Sequence, residues 1–133
     1  MAKTFGDMVA EARAHVPGIT AAEARRRVAE RPETLLIDVQ DASDIAACGL
    51  IPGAVPISLG MLAIRADREL PEAYRDHRLQ DRARPVIVTC GAGGQAALGA
   101  YTLRQMGFED VAFIDGGMRA WKEAGLPTEP VRT

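Results

Sequence analysis

The chain has 133 residues, enough for a single domain that buries most of the surface its unfolded form exposes. Hydrophobic residues make up 47% and charged ones 26%, a balance that excludes disorder as the default state. The net charge is −2 with Lys, Arg, Asp and Glu interspersed, so neither a basic stripe for nucleic acid nor an acidic tail is present.

Phe5, Met8, Val9 and Ala12 fall at helical spacing, which predicts an N-terminal amphipathic helix over about residues 4–15. Thr20-Ala21-Ala22-Glu23 has the form of a capping box and predicts a helix running to about Glu30. Leu35 to Val39 is a short apolar run suited to a strand buried on both faces. Asp41, Ser43 and Asp44 supply caps for a short helix to Ala47, Pro52-Gly53 is a turn, and Ala54 to Ser58 is read as a second strand. Met61 to Leu79 is mixed, with Pro71 as a helix start. Val86 to Thr89 is a strand that runs straight into Cys90-Gly91-Ala92-Gly93-Gly94, followed by a helix from Gln95 to Met106 that stops at Gly107. Val111 to Ile114 is the next strand; Gly116-Gly117 turns into a last helix holding Trp121, ended by Gly125 and Pro127. Strands alternating with helices predict an α/β fold: a parallel sheet covered on both faces through right-handed crossovers.

Residues 1–14 lack the apolar core of a secretion signal, and no apolar run approaches the ~18 residues of a membrane span. A cytoplasmic location without membrane contact is therefore expected, with Cys48 and Cys90 as free thiols. Two His and two Cys at unrelated spacings do not form a zinc site, so neither metal nor cofactor is expected.

The chemistry is expected at Cys90. In open parallel sheets ligands bind beyond the carboxyl ends of the strands, and residues 90–95 stand there, between a strand and a helix N-terminus. Three glycines in four residues let successive amides of Gly91, Ala92, Gly93, Gly94 and Gln95 face one point, where the helix dipole adds about half a positive charge. A thiol at the rim of such a cradle is favoured as thiolate, the nucleophilic form, and a persulfide or oxyanion could be held there as well. The alternative is a small buried cysteine closing a strand. Gly91-Ala92-Gly93-Gly94-Gln95-Ala96 also satisfies a dinucleotide fingerprint, with Asp115 as the following acid, but leaves room for only one further strand. A phosphate-binding Walker loop is excluded by the missing Gly-Lys-Ser/Thr ending.

Several ordered motifs over about Gly18 to Pro130 resemble the rhodanese (sulfurtransferase) family. Leu36-Ile37-Asp38-Val39-Gln40 is similar to its aspartate-valine-arginine signature, and Gly49 to Ala54 to its glycine-histidine-isoleucine-proline-glycine-alanine segment. Cys90 to Ala96 falls on the active-site loop. Ile114 to Gly117, with Ala120-Trp121 and Gly125 to Pro127, resembles the C-terminal signature. The resemblance implies a three-layer fold with a five-stranded parallel sheet. It also implies a Cys90 that takes sulfane sulfur from thiosulfate or a persulfide and passes it to a small thiol, cyanide or a protein thiol; a homodimer is a further expectation.

This chain departs from the family pattern in its cations. Gln95 and Ala96 stand where the loop has Arg and then Ser or Thr, Gln40 replaces the Arg of the first signature, Leu50 replaces His, and Leu59 replaces the Arg of a subgroup segment. Each missing Arg removes a bidentate partner for an oxyanion, typically worth ~1.5–3 kcal/mol. Thiosulfate is therefore expected to be a poor donor unless Arg65, Arg68 or Arg119 replaces the charge. The related phosphatases and arsenate reductases need Arg where Ala96 stands, which disfavours phosphoryl chemistry.

Among other residues, Asp38 is read as a backbone cap, Gln95 as a donor to a Cys90 persulfide or simply a helix start, and Trp121 as core. His15, His77 and Arg25-Arg26-Arg27 are read as solvated. Cys48 is expected on the opposite edge of the sheet from Cys90. The expected site is thus Cys90 with the loop 91–95, Gln40 and Arg65. The rival to an enzyme is a degenerate module of the same family that binds or senses through Cys90.

Overall fold

The computed structural model describes residues 2–131. In chain order the elements are α1 (Phe5–Arg13), β1 (Gly18–Ile19), α2 (Ala21–Glu30), β2 (Leu35–Asp38), α3 (Ala42–Cys48), β3 (Val55–Pro56), α4 (Leu59–Ala66), 3₁₀ turns at Glu72–Tyr74 and His77–Leu79, β4 (Val86–Thr89), α5 (Gly94–Gln105), β5 (Val111–Ile114) and α6 (Gly117–Glu123). The strands form one five-stranded sheet, ordered β1-β5-β4-β2-β3 and parallel throughout. This is the α/β architecture the sequence predicts.

The period of two along each strand divides the core into two layers. Leu35, Ile37, Val86, Val88, Val111 and Phe113 face a cluster closed by residues of α1, α4 and α5. Leu36, Ile87, Ala112 and Ile114 face a second cluster closed by α2 and α6, with Trp121 and Met118 inside it. Because both faces are covered, the central strands read as unbroken apolar runs.

Four local readings are revised. β1 went unread because two residues carry no periodicity; Gly18 is placed there by register, pairing with Phe113 beneath its ring. The strand expected over 54–58 shortens to Val55–Pro56, and Pro56 has no N–H to extend a ladder. Over 61–79, α4 starts earlier at Leu59, and Pro71 precedes a single 3₁₀ turn rather than a helix. At α2, Thr20 Oγ1 accepts from the Glu23 amide at 3.1 Å, but the Glu23 carboxylate turns to Arg26 and Arg27 instead of closing the box. The complete capping box belongs to α1, between Thr4 and Asp7.

The irregular stretch 67–85 is held by Arg82. Its guanidinium donates to the carbonyls of Met106, Leu79 and Ala66 at 3.0, 2.8 and 2.8 Å and lies 4.6 Å from the Phe108 ring centroid. One cation thereby satisfies the ends of α5, the second 3₁₀ turn and α4.

Candidate active site

β4 delivers Cys90 to the carboxyl edge of the sheet, and the chain then has to reverse into α5 within a few residues. Gly93 makes this possible: it caps α5 at φ +105°, and a Cβ there would lie 2.9 Å from the Gly116 nitrogen. The Gly93 N–H donates to Cys90 Sγ at 3.0 Å. Sulfur therefore sits on an amide at the head of a 12-residue helix, whose first N–H groups have no acceptor within the helix. Cys90 is only 2% exposed, so a reactant meets it only through the cleft above.

A second layer fixes the loop from behind. Met118 N–H donates to the Cys90 carbonyl at 2.7 Å and Arg119 N–H to the Gly91 carbonyl at 3.0 Å. The first turn of α6 thus holds the backbone of the loop, so the side of the loop away from the cleft is already satisfied.

The cleft is open, about 460 Å³, and is lined by Phe5, Gln40, Asp44, Ala47, Cys48, Cys90, Gly91, Ala92, Gly94 and Gln95. The residues expected at the site therefore converge on one cavity, with two exceptions. Gly93 contributes its amide to Cys90 from a buried position behind the lining. Arg65 lies elsewhere: its Nη1 donates to the Tyr74 carbonyl at 2.8 Å, and it lines a separate groove with Arg75, Asp76, His77 and Arg78. Arg68 is turned to the Gln80 carbonyl and Arg119 is absent from the cleft. None of the three supplies the missing charge. Among the described residues that line the cleft, the one charged side chain is Asp44.

Gln40 is buried and its amide lies 3.3 Å from where a Cβ on Gly91 would be. Of its two amide orientations, the one that turns Nε2 toward Asp38 satisfies both groups, at 3.1 and 3.3 Å from the carboxylate oxygens. Asp38 has no exposed surface and its Oδ1 accepts the Gln40 backbone N–H at 3.0 Å, the local cap expected of it. Burial pushes its carboxyl up to about 6, against the opposing effect of that hydrogen bond.

Two residues are not where the sequence suggested. Cys48, the last residue of α3, lines the same cleft as Cys90 rather than the opposite edge of the sheet. Phe5 also lines it, delivered by α1, which the sequence marked only as an amphipathic helix. His15 is exposed as expected but stacks on Tyr101 at 4.7 Å. Trp121 is core, with Nε1 donating to the Pro127 carbonyl at 2.7 Å. Against the dinucleotide alternative, Asp115 pairs with Arg13 in a two-point ion pair, 3.1 Å in each arm, and the Gly93 amide is committed to Cys90.

Comparison with known proteins identifies the family of the fold. A solved structure from Rhodopseudomonas palustris, described as a protein of unknown function and possible tyrosine phosphatase, is 30% identical and superposes with a TM-score of 0.89 over 97% of this chain and 96% of its own. The polysulfide-sulfur transferase homodimer of Wolinella succinogenes is 30% identical, with a TM-score of 0.75 over 96% of this chain and 88% of that one. A probable 3-mercaptopyruvate sulfurtransferase of Schizosaccharomyces pombe is 29% identical over 105 residues, 71% of this chain. The chain spans only about a third of that relative, 35% of its length. The model of the family described as "Rhodanese-like domain" matches residues 20–124, and the chain belongs to that family.

Proposed function

We propose that the protein is a sulfurtransferase in which Cys90 carries sulfane sulfur as a persulfide. The observation that carries this reading is the Gly93 N–H aimed at Cys90 Sγ at the head of α5. The names of the Wolinella and Schizosaccharomyces relatives support the class of reaction. In the first half-reaction the Cys90 thiolate attacks the outer sulfur of the donor, the donor S–S bond breaks, and a thiolate leaves, or sulfite if the donor is thiosulfate. In the second, an acceptor thiolate or cyanide takes that outer sulfur and Cys90 leaves as thiolate. Both steps are redox-neutral displacements. The Gly93 amide supports negative charge on the Cys90 sulfur as it attacks and as it leaves, and the unpaired N–H groups heading α5 offer the same support to the terminal sulfur of the persulfide.

The cleft favours a persulfide or polysulfide donor over thiosulfate. Thiosulfate brings a sulfonate that needs charged partners, and the lining offers Gln95 and Gln40 in place of guanidinium groups beside the Asp44 carboxylate. Phosphate monoesters fare no better: Ala96, at the position where the phosphatase loop needs Arg, is fully buried.

Intact-protein mass spectrometry after incubation with thiosulfate or a low-molecular-weight persulfide tests the proposal. A one-sulfur adduct from the persulfide that cyanide removes, and that Cys90→Ser lacks, is expected. Absence of any adduct from both donors would sink the enzyme and leave a binding or sensing module.

A further inference from the structure

One wall of the Cys90 cleft comes from outside the part of the chain that the family model matches. Phe5, at the start of α1, lines the cleft yet precedes the matched span by fifteen residues. Its ring rests on the first residue of α5: Cζ and Cε2 lie 2.8 and 3.0 Å from where a Cβ on Gly94 would stand, with Val9 Cγ2 at 3.5 Å from the same point. Any residue larger than glycine at 94 would push the ring away.

The ring is held in place by its helix. α1 has a complete capping box at Thr4 and Asp7, its Ala12 is buried, and Val9 packs against the core cluster shared with α5. At its far end, Arg13 grips Asp115 in the two-point ion pair, just after β5. Even so, Phe5 is 57% exposed, and Met8, one turn further along, is 45% exposed. Together they form an apolar surface that begins at the mouth of the cleft and runs outward. Ala47 and Ala92 add small side chains to the same lining.

We propose that Phe5 is a specificity-determining residue that selects an organic hydropersulfide donor with an apolar body. The body packs on the Phe5 ring, with Met8 extending the contact, while the outer sulfur reaches Cys90. The Cys90 thiolate bonds to that outer sulfur, the donor S–S bond breaks, and the organic thiolate leaves; the proton of the hydropersulfide stays with the transferred sulfur until solvent takes it. This rests on the sulfurtransferase reading of the same cleft.

The test compares benzyl hydropersulfide with methyl hydropersulfide as donors to wild type, Phe5→Ala and Phe5→Leu, following sulfur loading on Cys90 and thermal unfolding in parallel. Wild type should prefer the benzyl donor. Phe5→Ala should raise the benzyl donor concentration that half-saturates the loading rate about tenfold or more with the limiting loading rate much less affected, and the preference over the methyl donor should collapse by a similar factor. Phe5→Leu should retain most of the preference. An equal fall for both donors, accompanied by a lower Tm, would overturn the proposal and reduce Phe5 to a prop for Gly94. Loading of wild type with no preference between donors overturns it while leaving the sulfurtransferase reading intact. Failure of wild type to load from either donor overturns both.

Discussion

A Cβ on Gly117 would collide with the carbonyl oxygen of Cys90, the same oxygen that accepts the Met118 amide. The loop bearing the nucleophile and the first turn of α6 thus approach backbone to backbone, and Gly117 adopts φ +54°, where side chains are disfavoured in addition to lacking space. Gly117→Ala is expected to lose about 2–4 kcal/mol of stability and to lower sulfur loading of Cys90. Gly125 provides the control. It also has positive φ, +73°, but faces open space, so Gly125→Ala should cost only ~1–2 kcal/mol and leave loading in place. Denaturant titration with mass-spectrometric loading distinguishes the two; equal effects would refute the backbone contact as the cause.

Asp38 gives stability a pH dependence of unusual sign for a carboxylate. Its carboxyl is raised from an ordinary 3.8 to about 6 by burial. Well below pH 4 it is protonated both folded and unfolded, with no penalty. As pH rises toward 6 the unfolded chain ionises first, and stability falls by up to ~3 kcal/mol before levelling off. Asp38→Asn keeps an acceptor for the Gln40 amide and removes the titration. The stability of wild type relative to Asp38→Asn should therefore fall between pH 4 and pH 6, and a flat difference over that window would contradict the burial argument.

Gln95 is half-buried in the cleft lining beside the head of α5. Gln95→Arg places a guanidinium there, and a charge-assisted contact to a sulfonate of ~1.5–3 kcal/mol corresponds to roughly ten- to a hundredfold in binding. Thiosulfate loading should improve by that factor. An improved persulfide donor with thiosulfate unchanged would show that the missing cation is not what limits thiosulfate.

Arg82→Ala removes the donor to three carbonyls and the cation over Phe108. A loss of about 2–4 kcal/mol is expected, with Arg82→Lys recovering only part, since one ammonium cannot span the three acceptors in a planar fork. Thermal unfolding of both variants measures this.

The central strands and their two-layer burial were legible because four-residue apolar runs between turn residues have few other uses, and the loop after β4 was legible from its glycines. The limits are as physical. β1 is two residues held by its partner, so nothing local marks it. Arg65 was placed at the site by charge alone, whereas the fold turns it toward the Tyr74 carbonyl. Cys48 and Phe5 reach the cleft through the placement of the end of α3 and the packing of α1 on α5, both tertiary relationships that no spacing encodes. The Gly94 contact did have a trace in the sequence: a glycine inside the first turn of a helix, where propensity argues against one.

The grip of α6 on the loop also orders events in time. The two hydrogen bonds that hold the loop from behind form only when backbone from residues 118–119 is present. A ribosome makes the cysteine well before it makes those residues. During synthesis the loop therefore spends a stage without its rear support, and a chain cut short before Met118 would carry Cys90 on a loop lacking both of those bonds.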